Sequence, residues 1–228
     1  MPKAENHPVE KRLVKVQAFA GALFFLFLVM HLCNTLVAPF GAEAYNSAQL
    51  LLQKVYQHPA LELSLVVVPL LSHAVAGLWL YVLRRRWRVT RPIRYRLQTW
   101  AGLFLLLVVI GHALATRGVA YWFDAVPGFQ GVAFSLWWMP GYFYPYYFLL
   151  FMAGLYHGVT GVQQIRRRMG GSSGTVRVGY SLTGYAIAAV FVTAALLSFG
   201  GQLVEIADPR DSDYARQYSE FFGIDLKG

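Results

Sequence analysis

The stretch that decides the fold is YRLQTWAGLFLLLVVIGHALATR, residues 95–117. Between Arg96 and Arg117 it holds no charged side chain. A span needs about 20 consecutive mostly apolar residues to cross ~30 Å of hydrocarbon, and the run 97–116 has that length. One ionisable residue, His112, is set inside it. Such a residue is costly in lipid and marks a functional site by default.

Four more runs of this kind lie on either side, at 16–38, 61–83, 142–165 and 178–200. The whole chain is 57% hydrophobic and 14% charged over 228 residues, too apolar for a soluble domain of that length. We expect an all-α membrane protein, a bundle of five transmembrane helices forming one domain over residues 1–200. A polar, net acidic tail, 201–228, follows on the outer face. The first span is too long for a signal sequence and should stay as a membrane helix. Cys33, the one cysteine, leaves no intrachain disulfide, thiolate cluster or CxxCH haem attachment.

The formal net charge of +9 suggests nucleic acid until its distribution is read. Lys3, Lys11, Arg12 and Lys15 precede the first span. Arg84, Arg85, Arg86, Arg88, Arg91, Arg94 and Arg96 follow the second, and Arg166, Arg167, Arg168 and Arg177 follow the fourth. With five crossings, these fall on one side. The positive-inside rule then places the N-terminus in the cytoplasm and the C-terminus in the periplasm, in a multi-pass protein of a bacterial inner membrane. The arginines sit at span ends, where lipid headgroups are their partners, and no nucleic acid is expected.

Segment 39–60 reads as a short amphipathic helix on the outer surface. Segment 117–141 is dense in aromatics, including Tyr121, Trp122, Phe123, Phe129, Phe134, Trp137 and Trp138. It reads as an interfacial belt, a reading compatible with one wall of a quinone pocket. Residues 170–174, Gly-Gly-Ser-Ser-Gly, make a turn between the last two spans.

Four histidines lie inside spans, one on each of the first four: His31, His73, His112 and His157. At 1.5 Å rise per residue, position along a span converts to height. His31 and His112 come out ~6 and ~8 Å beyond the midplane on the outer side, His73 near the midplane and His157 ~5 Å to the inner side. Two levels with two imidazoles each suit two six-coordinate haem irons stacked across the bilayer. Four histidines on one zinc or copper would need a single height and an orienting carboxylate, and no Asp or Glu sits deep in any span. Four interhelical hydrogen-bonding histidines are the bland alternative.

Glycines follow the same pattern. Gly21 and Gly102 each precede a histidine by ten residues, and Gly77 and Gly161 each follow one by four. A macrocycle between helices needs places without a side chain, although plain close packing also uses glycine. Gln17, Gln98 and Ser72 are buried polar candidates beside the haems. Lys15, Arg84 or an arginine of 91–96 could pair with inner propionates. Glu43 or Asp124 could exchange protons with a quinone near the outer face.

These segments resemble the five-helix, two-haem cytochrome b subunit of succinate dehydrogenases and fumarate reductases. KRLVKVQAFAGALFFLFLVMHLCN is similar to that family's first helix, GAEAYN to its outer-loop start and SHAVAGLWL to its second-helix His-Ala-x-x-Gly. YRLQTWAGLFLLLVVIGHALATR is similar to its Leu-Gln-x-x-x-Gly…His…Thr-Arg stretch, and YHGVTGV to its His-Gly-x-x-Gly. The resemblance runs from about residue 11 to 200; the tail has no counterpart. It implies two b haems, an outer one on His31 and His112 and an inner one on His73 and His157. It implies a quinone, usually menaquinone, towards the outer side, and flavoprotein and iron–sulfur partners on the cytoplasmic face. Catalysis by this chain would extend no further than quinone oxidoreduction. A stand-alone dihaem cytochrome, working as a homodimer without those partners, is the alternative reading. The sequence leaves both open.

Overall fold

A computed structural model describes residues 8–85, 92–123, 126–168 and 182–226. The turn expected at 170–174, and the residues Lys3, Arg86, Arg88, Arg91, Asp124 and Arg177, lie outside them.

Among the described residues every regular element is helical. Among these residues four helices are long and apolar enough to cross a membrane: Pro8–Phe40, Pro59–Arg84, Ile93–Phe123 and Leu182–Phe199. Within them α1 is Pro8–Thr35, α3 is Val68–Arg85, α4 is Ile93–Ala113 and α7 is Leu182–Phe199. The short connecting helix α2 is Ala42–Tyr56. Their outer surfaces carry Phe19, Leu26, Val75, Trp100, Leu107, Ile110 and Val190, all exposed, as lipid-facing residues should be.

The fifth expected span corresponds to α6, Pro140–Arg168, 29 residues long with Pro145 inside it. It is long enough to cross, but it is less apolar than the other four. The reason lies in its position. It packs against α1, α4 and α7, and from Leu150 to Ile165 none of its residues is exposed. A helix enclosed by other helices has little lipid to face, so it can hold polar residues such as Thr160 and Gln163, both buried.

Two helix pairs form the framework. The α1–α3 contact is the most extensive in the chain, α4–α6 is next, and α1–α6 joins the two pairs. Small residues allow the last approach: Gly154 faces Leu28, and a methyl group at Gly158 would lie 2.5 Å from the ring of Phe25.

The expected amphipathic helix is α2. It begins after Gly41, whose φ of +96° favours glycine. It buries Tyr45 edge-on against Phe129 and Phe199 and leaves Leu50, Leu51 and Val55 exposed.

Segment 117–141 differs from the belt that was expected. Tyr121 and Trp122 are exposed, but Phe129 and Phe134 are fully buried core residues of a further helix, α5, Phe129–Trp138. Phe129 packs with Ala38, Tyr45, Ala133, Leu136, Ala195 and Phe199. The run is apolar on every side, so it gives no periodic signal of a helix.

The acidic tail is ordered over its described part. Asp208 accepts from Arg210 N–H, and the Arg210 guanidinium holds the Asp208 carboxyl down at about 2. Ser212 then caps α8, Asp213–Phe222, by accepting from Ala215 N–H at 3.1 Å. The helix ends at Gly223, with φ +66° and the Ile224 N–H returning to Ser219 O. Tyr214 and Ala215 pack on Val119 and Phe134.

Candidate functional site

The four span histidines meet two by two. The rings of His31 on α1 and His112 on α4 have centres 5.9 Å apart at 71°. Those of His73 on α3 and His157 on α6 are 5.8 Å apart at 90°. Each pair therefore takes one ring from α1–α3 and one from α4–α6. Gly21 abuts His73, and His31 lies ten residues further along α1, so the levels are separated by about 15 Å of helix. One metal cannot take all four, and among the described residues no group of three or more His, Cys, Asp or Glu gathers.

Metal–imidazole bonds of about 2 Å on opposite sides of one ion put the two ring centres about 6 Å apart. Both pairs have this separation. Each pair of side chains thus fits a metal that would be held by two imidazoles, the ligand set of a b-type haem iron.

The rings of the His73–His157 pair are also oriented. His73 Nδ1 lies 2.9 Å from the Gln17 carbonyl oxygen and His157 Nδ1 lies 3.2 Å from that of Gln98. A carbonyl only accepts, so Nδ1 carries the proton in both and Nε2 is the free ligand atom. Gln98 Nε2 donates back to His157 O at 3.0 Å. In the His31–His112 pair, Phe27 stacks on His31 with centres 5.8 Å apart. Thr35 and Thr116 hydroxyls donate to the His31 and His112 carbonyls at 3.2 and 2.8 Å.

Each of the four expected glycines lies against a side chain of another helix. A Cβ at Gly21 would lie 2.5 Å from His73 Nδ1, and one at Gly102 would lie 2.7 Å from His157 Cε1. The space they leave is filled by imidazole. At Gly77 the neighbour is Gln17 Nε2, at 2.9 Å, and at Gly161 it is Gln98 Nε2, at 3.7 Å. Ser72 is half-buried.

Carboxylates sit at both ends of the second span. Glu10 takes Arg84 at 2.9 Å, so that arginine already has an anionic partner. At the other end Glu62 holds Arg117 through contacts of 2.6 and 2.8 Å, and Tyr121 hydroxyl bonds to both. Both residues lie in π-helical turns, Glu62–Val67 and Leu114–Gly118, which often mark functional sites. Phe27 links the His31 ring to the Tyr56 ring, with the Phe27 and Tyr56 centres 5.1 Å apart.

The repeat seen in the glycine and histidine spacings extends to further residues. Gln17-x-x-Ala20-Gly21…His31-x-x-x-Thr35 recurs as Gln98-x-x-Ala101-Gly102…His112-x-x-x-Thr116 at one constant offset. His73-x-Val75-x-Gly77 recurs as His157-x-Val159-x-Gly161.

No family model and no solved structure matches the chain. Over 96 residues it is 31% identical to the succinate dehydrogenase cytochrome b558 subunit of Bacillus subtilis (strain 168). The match covers 40% of this chain and 48% of that protein, so the chain spans about half the length of the curated relative it matches. This likeness supports the resemblance carried by the span motifs, that of a membrane-anchor cytochrome b.

Proposed function

We propose that the chain is a dihaem cytochrome b that carries electrons between a membrane quinone and a redox partner, as the membrane anchor of a succinate dehydrogenase or fumarate reductase-like complex. The observation that carries this is the stacking of two histidine pairs, each at the ring separation of a bis-imidazole metal site. In this reading α6 completes five crossings, with the N-terminus cytoplasmic and the C-terminus periplasmic.

His31 and His112 would hold the outer haem, and His73 and His157 the inner one. Haem supplies reversible one-electron transfer at each level. The chain does the rest. Nδ1–H donation to the Gln17 and Gln98 carbonyls fixes tautomer and ring direction and makes each inner imidazole a more basic ligand. Apolar spans exclude water from both levels. At the outer end Glu62, with Arg117 and Tyr121, offers a carboxylate for proton exchange with a quinone, menaquinone by the resemblance. The basic loops at the other end form the docking face for flavoprotein and iron–sulfur partners.

Reduced-minus-oxidised spectra with haem quantitation test the reading. The purified chain should hold two haems. His31→Ala and His112→Ala should lose one and the same haem, and His73→Ala and His157→Ala the other. Any other pairing sinks it. Flavin and iron–sulfur subunits should co-purify; a stable haem-loaded chain without them would point to the stand-alone form.

A further inference from the structure

Each inner histidine is seated by the helix that bears an outer one. His73 belongs to α3, but its ring lies against Gly21 of α1, where a Cβ would stand 2.5 Å from Nδ1 and 2.7 Å from Cε1. One turn earlier, the Gln17 carbonyl takes the Nδ1 proton at 2.9 Å. The ring cannot retreat from position 21 without losing that bond. The other half repeats the device. The ring of His157 lies against Gly102 of α4, with Cε1 and Nδ1 at 2.7 and 3.1 Å from a Cβ there, and the Gln98 carbonyl is 3.2 Å from Nδ1. His31 and His112 lack this support. Among the described residues neither ring makes a hydrogen bond, and a Cβ at Gly111, next to His112, would meet nothing within 4 Å.

We propose that Gln17–Gly21 and Gln98–Gly102 are positioning segments for the inner cofactor level, although both lie on the helices that carry the outer ligands. The proposal rests on the dihaem reading above. The glycines supply the room and the carbonyls supply the direction, and together they hold the two rings with centres 5.8 Å apart. Their spacing from the outer histidines is incidental to the outer level.

The test uses the purified full chain and the low-spin ferric EPR spectrum, which responds to axial ring orientation, together with haem content. His73→Ala and His157→Ala identify the inner signal. Gly21→Ala and Gly102→Ala should then shift or abolish that signal, with up to one of two haems lost, and leave the outer signal in place. Gly111→Ala, adjacent to an outer ligand, should leave both signals unchanged. The double variant Gly21→Ala/His73→Ala should match His73→Ala alone, because removal of the ring removes the clash. This also holds if Gly21→Ala alone does not fold. Unaltered inner signals in both glycine variants would overturn the positioning role and leave the dihaem reading standing. So would a displaced outer signal, or a double variant worse than His73→Ala. A wild-type chain without two haems would overturn the dihaem reading itself, and the positioning role with it.

Discussion

Arg117 grips Glu62 from the facing end of another span, guanidinium to carboxylate, with Nε and Nη2 at 2.6 and 2.8 Å from the two oxygens. Neither side chain is more than 30% exposed, so removing one partner leaves the other charged and poorly solvated. Arg117→Ala should cost about 1–3 kcal/mol, read as a lowered thermal midpoint in detergent. Glu62→Gln should cost less, and the double variant less than the sum of the two. Strict additivity would show that the pair is not coupled.

Tyr214 hydroxyl donates to the Ala115 carbonyl at 3.1 Å. Burial pushes the phenol well above its ordinary range, so it remains a donor at any working pH. Tyr214→Phe should cost about 0.5–1.5 kcal/mol, measured by thermal unfolding. Deleting residues 203–228 should cost much more, because Phe134 and Val119 lose the cover of Tyr214 and Ala215.

Phe129 is fully buried where α2, α5 and α7 meet. Phe129→Ala should destabilise by about 3–5 kcal/mol. Phe40→Ala, at an exposed position just before α2, should change stability by no more than about 0.5 kcal/mol. Paired denaturation curves check both.

Gly158→Ala would drive a methyl group into the ring of Phe25, whereas Gly154→Ala meets Leu28 at an ordinary 3.7 Å. The first should lower the thermal midpoint by about 1–3 kcal/mol equivalent, and the second should be nearly neutral. Equal effects would mean that α1 and α6 approach less closely than described.

Much of the architecture was legible because lipid imposes a simple grammar. Length and apolarity mark α1, α3, α4 and α7 directly. The histidines of α1 and α4 fall at one height and those of α3 and α6 at another, as rise per residue indicates. What escaped did so for physical reasons. α5 is hydrophobic all round and gives no periodicity, so Phe129 and Phe134 read as surface aromatics. The height of His73 depended on where its span begins, and the π-helical turn at Glu62–Val67 alters that count. The Glu62–Arg117 pair joins residues 55 apart in sequence, and no local pattern announces it. Gly21 and Gly102 were recognised as needed space, but only the packing shows that histidines of other helices fill it.

Neither α1–α3 nor α4–α6 contains a complete pair of facing rings. Each level straddles the seam between them, a seam otherwise closed along α1 and α6. Anything bound between the rings is thus a rivet through that seam. By mass action, its affinity adds to the docking of the two halves. Emptying one level would remove one rivet and leave the other to hold the same joint.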